Sequence, residues 1–251
     1  MRVAAIADIH GNLPALEAVL DEIRSEKPDL IVSCGDVASG PMPAETIGVL
    51  MTLENARFVR GNADRELIVE FDGKPAQPSD VFGGWCAKQL TNQQRDFLAS
   101  FEEMVAVDDV EGIGRAIFCH ATPRNDTDVM TRETGDDDMR YHLAGVGAAM
   151  VACGHTHMQF ERTVDGVRVV NVGSVGMTYG EPGAYWAWLG PGVALRRTEY
   201  DLPAAARRIK AKNWPQAADF AENNVIRRPS VEEAMTFMRD MEAQQRAARM
   251  P

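Results

Sequence analysis

The sequence is poor in positive charge, in long apolar runs and in paired cysteines, and each shortage removes a class of protein. Lys and Arg number 26 against 37 Asp and Glu, a formal net charge of -11. A surface that grips long nucleic acid by neutralising its phosphates is therefore not expected, although a short phosphate-bearing ligand is compatible with this balance. No stretch approaches the roughly 18 apolar residues of a membrane span. The apolar start, Val3 to Ala7, meets Asp8 before it could form the core of a secretion signal, so a cytoplasmic chain with no membrane partner is the expectation. The four cysteines, Cys34, Cys86, Cys119 and Cys153, show neither CxxC spacing nor close pairing. That argues against a disulfide framework or a thiolate zinc site and for small buried core groups. What remains is an ordinary globular composition: 251 residues, 45% of them hydrophobic, can fill a substantial core in one large domain or two small ones.

The chain opens with strands and helices in alternation. "RVAAIAD" (2–8), "DLIVSCGD" (29–36) and "ARFVRGN" (56–62) are short apolar runs ending in polar turns. Between the first two, Leu13, Leu16, Val19, Leu20 and Ile23 fall on one helical face, with Asn12 as N-cap, Pro14 in the first turn and Pro28 just past the end. A second helix is expected from about Ala44 to Leu53. Continuously apolar strands separated by helices imply a parallel sheet buried on both faces. Residues 63–104 read as mostly helical, with a break at "FDGKPAQPSD" (71–80). Beyond them the pattern turns antiparallel: two strands around "EGIG", a hairpin centred on Asp165-Gly166, and a pair around Pro191-Gly192. The expected fold is α/β, a sandwich of two mixed β-sheets with helices outside. A tail over 201–251 is expected to be helical, opening its last helix with a Ser230-x-x-Glu233 capping box and carrying Val231, Ala234, Met235, Met238 and Met241 at helical spacing. Such a stripe faces a core or a second copy of the chain, with a lid over a substrate as the less common alternative.

Histidine is scarce too, and its placement is informative. Of five, His10, His120, His155 and His157 fall at strand ends, together with Asp8, Asp36 and Asn62; His142 does not, and no role is assigned to it. In parallel α/β sheets the loops beyond the carboxyl ends of strands converge on ligands. Carboxylate and amide oxygens with imidazole nitrogens, and no thiolate, suit divalent Mn, Fe, Zn, Ni or Co. Seven ligands exceed what one ion needs if it must keep positions open, but they suit two ions sharing a carboxylate, as in two-metal hydrolysis with ions about 3.5–4 Å apart. "ACGHTH" (152–157) would present its two histidines from one extended segment, with Thr156 between them.

The ordered series "DIHGN" (8–12), "GDVAS" (35–39), "GNAD" (61–64), "CHATP" (119–123), "GHTH" (154–157) and "NVGSVG" (171–176) resembles the calcineurin-like metallophosphoesterases, over about residues 1–200. Within that superfamily it looks most like the small prokaryotic phosphodiesterase and diadenosine-tetraphosphatase-like branch. The resemblance implies a four-layer sandwich and two divalent ions. One would be held by Asp8, His10, Asp36 and His157, the other by Asp36, Asn62, His120 and His155. It also implies hydrolysis of a small phosphodiester, phosphomonoester or nucleotide by a metal-activated hydroxide. Where many members have a histidine after the GN asparagine, this chain has Ala63, and loss of that acid costs about 10²- to 10⁴-fold on a poor leaving group. Asp64 is a candidate for supporting a ligand or a bound water, and Arg60, Arg65 and Arg124 for binding phosphate oxygens. Two rival readings stand beside the enzyme. The first is a non-catalytic interaction scaffold of the same fold, which Ala63 would suit. The second is a nuclease, for which "RRIKAK" (207–212) is the one small basic cluster.

Overall fold

The computed structural model describes residues 1–74 and 83–249. Among the described residues ten strands form two five-stranded sheets. The first runs in the order β10 (Val193–Thr198), β9 (Ala184–Leu189), β1 (Val3–Ile6), β2 (Leu30–Ser33) and β3 (Ala56–Phe58), with β1, β2 and β3 parallel and the β9–β10 hairpin antiparallel. The second runs β4 (Val105–Val110), β5 (Gly114–Phe118), β6 (Met150–Cys153), β8 (Val167–Asn171) and β7 (Phe160–Val164), parallel at its centre and antiparallel at both edges. Helices α1 (Leu13–Glu26), α2 (Pro43–Leu50), α3 (Asn62–Phe71), α4 (Gly83–Ala87) and α5 (Asn92–Ala99) cluster on the first sheet, and α6 (Asp136–Leu143) on the second. The expected sandwich of two mixed sheets flanked by helices is the observed fold.

Period-two alternation sorts β1 between the layers. Val3, Ala5 and Ala7 pack with Val32, Cys34, Phe118, Met150 and Ala152 between the sheets, while Ala4 and Ile6 turn outward onto Leu16, Leu20 and Ile23 of α1. All five apolar positions read from the sequence of α1 are buried, each contributing about 1.5–3 kcal/mol relative to exposure. Asn12 caps the helix by accepting from Ala15 N–H at 3.4 Å, and Lys27 ends it in a left-handed turn at φ 53°. The Asp165-Gly166 turn has positive φ at both residues, 48° and 84°, as a two-residue hairpin requires.

Some boundaries differ from the sequence reading. The second helix spans Pro43–Leu50, and the third strand stops at Phe58. Val59 then bridges to Glu102, and Asn62 is the first residue of α3 rather than the end of a strand. The break expected at 71–80 lies, from residue 75 on, outside the described residues. The four cysteines are free and buried, as their spacing suggested. Burial pushes the thiols of Cys34 and Cys119 well above their ordinary range and that of Cys153 up to about 12. A thiol-specific disulfide reagent should therefore modify none of the four in the native protein and all four after denaturation; rapid reaction of any one in the native state would contradict this packing.

After β10, α7 (Leu202–Lys210) and α8 (Ala217–Phe220), which runs on into a wider turn over Ala221–Ile226, build a satellite core of Ile209, Trp214, Phe220 and Val225. The final helix, α9 (Val231–Arg249), starts with the Ser230–Glu233 capping box and buries Ala234, Met235 and Met238 within the chain. In the 207–212 cluster, Arg208, Lys210 and Lys212 pair with Glu17, Glu222 and Glu45. Among the described residues no helix is long and apolar enough to cross a membrane.

Candidate metal centre

All seven residues expected to bind metal meet at the carboxyl ends of β1, β2, β5 and β6. Asp8 and His10 follow β1, Asp36 follows β2, His120 follows β5, His155 and His157 follow β6, and Asn62 arrives from the start of α3. The loops are laced across strands by backbone bonds: Asp8 N–H to Gly35 O at 2.9 Å, His10 N–H to Asp36 O at 3.0 Å and Gly154 N–H to His120 O at 2.8 Å. The close approach demands glycine at Gly61, where a Cβ would sit 2.1 Å from Asp36 Oδ1.

The backbone is strained where these residues stand. Asp8, His10, Asp36, His155 and His157 have φ of 52°, 47°, 56°, 68° and 59°, in the left-handed region that side chains other than glycine rarely occupy. Strain of this kind persists only when the surroundings over-determine it, and it clusters at functional sites. It also corrects the expectation of an extended GHTH segment. His155 and His157 reach the centre because each lies in a left-handed turn, while Thr156 is buried facing away, its hydroxyl 3.0 Å from Asn171 Nδ2. Asn171 locks that turn, also donating to Gly154 O at 2.6 Å and accepting from Gly173 N–H at 2.9 Å.

Each of the four imidazoles donates its outer ring N–H to a backbone carbonyl. His10 Nδ1 donates to Ser39 O at 3.3 Å, His120 Nδ1 to Cys34 O at 2.7 Å, His155 Nε2 to Thr127 O at 3.2 Å and His157 Nδ1 to Met177 O at 2.8 Å. This fixes the tautomers and turns four lone-pair nitrogens inward. His10 Nε2 and His157 Nε2 stand 3.2 Å apart, as do His120 Nε2 and His155 Nδ1. In their neutral forms two acceptors at that distance have no proton to share, so each pair calls for a proton or a cation between its members. Asp8 Oδ1 is fully buried and has no hydrogen-bond partner, although Oδ2 accepts from His155 N–H at 2.8 Å. The Asn62 amide end facing His120 Nε2 at 3.0 Å and His155 Nδ1 at 3.2 Å turns its NH₂ there in a protein-only centre; a bound cation would instead draw the oxygen to that side. With no cation bound, these convergent lone pairs are relieved by a proton on His120 or by the turned Asn62 amide; the donor set itself, carboxylate and amide oxygens with imidazole nitrogens, fits divalent metal.

The centre has two lobes. Asp8 Oδ1 lies 3.5 Å from His157 Nε2 and 4.0 Å from His10 Nε2. Asp36 Oδ2 lies 3.4 Å from His120 Nε2 and 3.9 Å from His10 Nε2, so it faces a histidine in each lobe. Two overlapping sets, Asp8–His10–His157 and Asp8–Asp36–His120, are close enough to hold an ion. Burial alone would raise both carboxyls, but His157 beside Asp8 and His120 beside Asp36 outweigh it and hold both below the usual carboxylate range. Burial likewise opposes charge on the histidines. Asp36 overcomes it at His120, lifting that imidazole to about 10, whereas burial and the His120 charge push His155 down to about 4.

The other site candidates sit around this centre. Asp64 lies behind it, fully buried, accepting from the backbone N–H groups of Asp36, Val37 and Gly61. Burial and the neighbouring Asp36 charge push its carboxyl up to about 7, against the pull of those donors. Ala63 contributes only its backbone N–H, which donates to Asp36 Oδ1 at 2.8 Å. A pocket of about 280 Å³ opens beside His120 and brings Arg60, Arg65 and Arg124 to one wall system with Thr122, Asn125 and Asp126. Arg65 is tied to Asp126 at 2.8 Å and to Glu66, and Arg60 to Glu103 at 3.3 Å. Arg124 instead stacks on Tyr141, 4.1 Å from the ring centroid. Sequence reasoning missed the four carbonyls that orient the histidines, and Tyr179, whose ring stacks 5.8 Å from that of His157; backbone acceptors leave no signature in residue type.

A two-sheet sandwich with this Asp/His cluster presents a candidate site for divalent metal. Residues 1–189 match the calcineurin-like phosphoesterase superfamily domain, and the chain belongs to that superfamily. An uncharacterized protein of Methanocaldococcus jannaschii is 27% identical over 183 residues, 69% of each chain. The crystal structure of a metallophosphoesterase from Sphaerobacter thermophilus superposes with a TM-score of 0.71 at 24% identity, covering 90% of this chain and 99% of the other. That of a hypothetical protein from Pyrococcus horikoshii OT3 gives 0.73 at 20% identity, covering 88% and 97%.

Proposed function

We propose that the protein hydrolyses a small phosphoester with two divalent ions, one held by Asp8, His10, Asp36 and His157 and the other by Asp36, Asn62, His120 and His155. The observation that carries this reading is the set of four imidazoles whose outer N–H groups are committed to backbone carbonyls, leaving their inner nitrogens turned toward one another in two pairs at 3.2 Å beside Asp8 and Asp36. Bound metal would supply Lewis-acid charge, acidifying water and neutralising phosphoryl oxygens. The chain's own groups hold that charge in a buried place and orient the ester. Arg124, stacked on Tyr141 and set in the pocket wall beside His120, is positioned to receive an anionic part of the substrate. Ala63 offers no side-chain acid to the leaving group. The reading therefore favours esters or anhydrides whose leaving group departs without a proton over simple alkyl monoesters.

The purified protein with Mn²⁺ should cleave bis-p-nitrophenyl phosphate, lose that activity to a chelator, regain it on adding metal back, and lose it in His155→Ala. Absence of metal-dependent turnover in the wild type would leave the scaffold reading in its place. On a substrate bearing a second anionic group, Arg124→Ala should raise KM by tenfold to about a hundredfold, the value of a charge-assisted hydrogen bond of about 1.5–3 kcal/mol. Arg65→Ala should raise it less, because Asp126 and Glu66 already engage that guanidinium. An unchanged KM in both variants would remove the arginines from substrate binding.

A further inference from the structure

We propose that Gln245, near the end of α9, is a positioning residue for His155 and thereby couples the C-terminal helix to one lobe of the metal centre. The inference rests on the reading of His155 as a metal ligand. Gln245 Nε2 donates to Thr127 O at 2.8 Å, and its Oε1 accepts from Val129 N–H at 2.8 Å. Thr127 O is the carbonyl that also accepts from His155 Nε2 at 3.2 Å, and its two lone pairs accommodate both donors. The amide orientation is fixed by its partners, since Val129 N–H can only donate and Thr127 O can only accept.

The loop that carries Thr127 belongs to neither sheet. Asn125 Oδ1 turns it locally by accepting from Thr127 N–H at 3.0 Å and Asp128 N–H at 2.7 Å, while Thr122 to Asp126 line the pocket beside His120. Gln245 engages one carbonyl and one N–H two residues apart, which is how a neighbouring strand would hold this segment. The helix presenting Gln245 is itself anchored. Met235 and Met238 are buried, Arg239 pairs with Glu133 at 2.8 Å, and Arg246 and Arg249 reach Asp138 at 3.4 and 3.5 Å. Other groups on the loop and on α6 do not replace this contact: Asp128 faces His142 at 3.4 Å and Arg124 faces Tyr141. A carbonyl that fixes the tautomer and direction of a ligand histidine is thus fixed in turn from beyond the segment, 1–189, that defines the superfamily domain.

Removing outer partners of a metal ligand lowers metal affinity by about 10- to 100-fold. Gln245 stands one bond further out, so about tenfold is expected. Mn²⁺ titration calorimetry and the visible spectrum of the Co²⁺-loaded full chain would be compared for wild type, Gln245→Leu, Gln245→Glu, His155→Ala and Arg239→Ala. Gln245→Leu should weaken by about tenfold the same ion that His155→Ala loses, alter the Co²⁺ spectrum and leave the other ion unchanged. Gln245→Glu keeps the side-chain volume and the Val129 contact but sets a carboxylate against Thr127 O, so it should show the same selective loss even if the leucine variant folds poorly. Arg239→Ala removes an exposed anchor of α9 and should leave both ions at wild-type affinity. Unchanged affinities in both Gln245 variants, or equal weakening of both ions, would overturn this inference while leaving the phosphoesterase reading intact. A wild type that takes up no ion, or a His155→Ala variant that keeps both, would overturn the ligand assignment and this inference together.

Discussion

Asp36→Asn should lower kcat/KM on an activated phosphodiester by about 10³- to 10⁴-fold and reduce bound metal to one ion or fewer per chain. The substitution is nearly isosteric, and the amide oxygen can still accept from Ala63 N–H in place of Oδ1. The atom that changes is the one facing both lobes. At the position of Oδ2, 3.4 Å from His120 Nε2 and 3.9 Å from His10 Nε2, an acceptor becomes an NH₂ donor. The amide would hydrogen-bond to lone pairs that metal otherwise needs, and the negative charge that both ions would share is lost. Unfolding temperature in the metal-free state should change little beside this, because the packing around the residue is kept. A variant that retains two ions and activity within tenfold of wild type would show that Asp36 does not join the lobes. No arginine in the pocket should approach this effect, since Arg60 and Arg65 engage carboxylates and Arg124 stacks on Tyr141, and none of them belongs to the Asp/His cluster.

The residue types of the centre were legible because the sequence places each at the end of an apolar run, and strand ends on one side of a parallel sheet converge. Asp8, Asp36 and His120 illustrate this, each following a strand whose buried pattern is plain. The sequence places Asn62 among the right neighbours but on a strand end; β3 stops at Phe58, and α3 then turns the amide back to the centre. The left-handed backbone at five of the seven candidate ligands is not legible. Nothing in the identity of an aspartate or histidine announces positive φ, and the expectation of an extended GHTH failed there. The tautomers were equally hidden, since Ser39, Cys34, Thr127 and Met177 act through carbonyls that every residue possesses. By its neighbourhood in sequence Arg65 is a candidate for binding phosphate oxygens. Its partner Asp126 lies 61 residues away, and only the fold reveals that it is already engaged. The methionine stripe of α9 points, in the sequence, to a core, a second copy of the chain or a lid; the contact that we propose couples it to the centre is a glutamine on its flank, two turns beyond the last buried methionine.

Asp64→Ala should unfold at markedly lower denaturant or temperature and bind metal weakly, although Asp64 touches neither lobe. Its carboxylate is an internal clasp: Oδ2 accepts from Asp36 N–H at 2.8 Å and Gly61 N–H at 3.0 Å, and Oδ1 from Val37 N–H at 2.9 Å. Alanine leaves three buried backbone donors without acceptors. Each costs about 1–3 kcal/mol, so the sum is on the order of a third or more of an ordinary domain's 5–15 kcal/mol. The loop that loses its clasp is the one that holds Asp36 at φ 56°, and relaxation of that strain would carry the carboxylate away from His120. Asp64→Asn separates the two consequences. Its amide oxygen can serve the paired donors of Asp36 and Gly61, but its NH₂ then faces Val37 N–H, so one donor rather than three is stranded. The asparagine variant should therefore lose about a third as much stability as alanine and keep measurable metal binding. If both variants unfold at the wild-type midpoint and bind metal normally, the loop is held by something other than Asp64. If stability falls as expected while metal affinity does not, the strained conformation at Asp36 is maintained by the sheet ends alone.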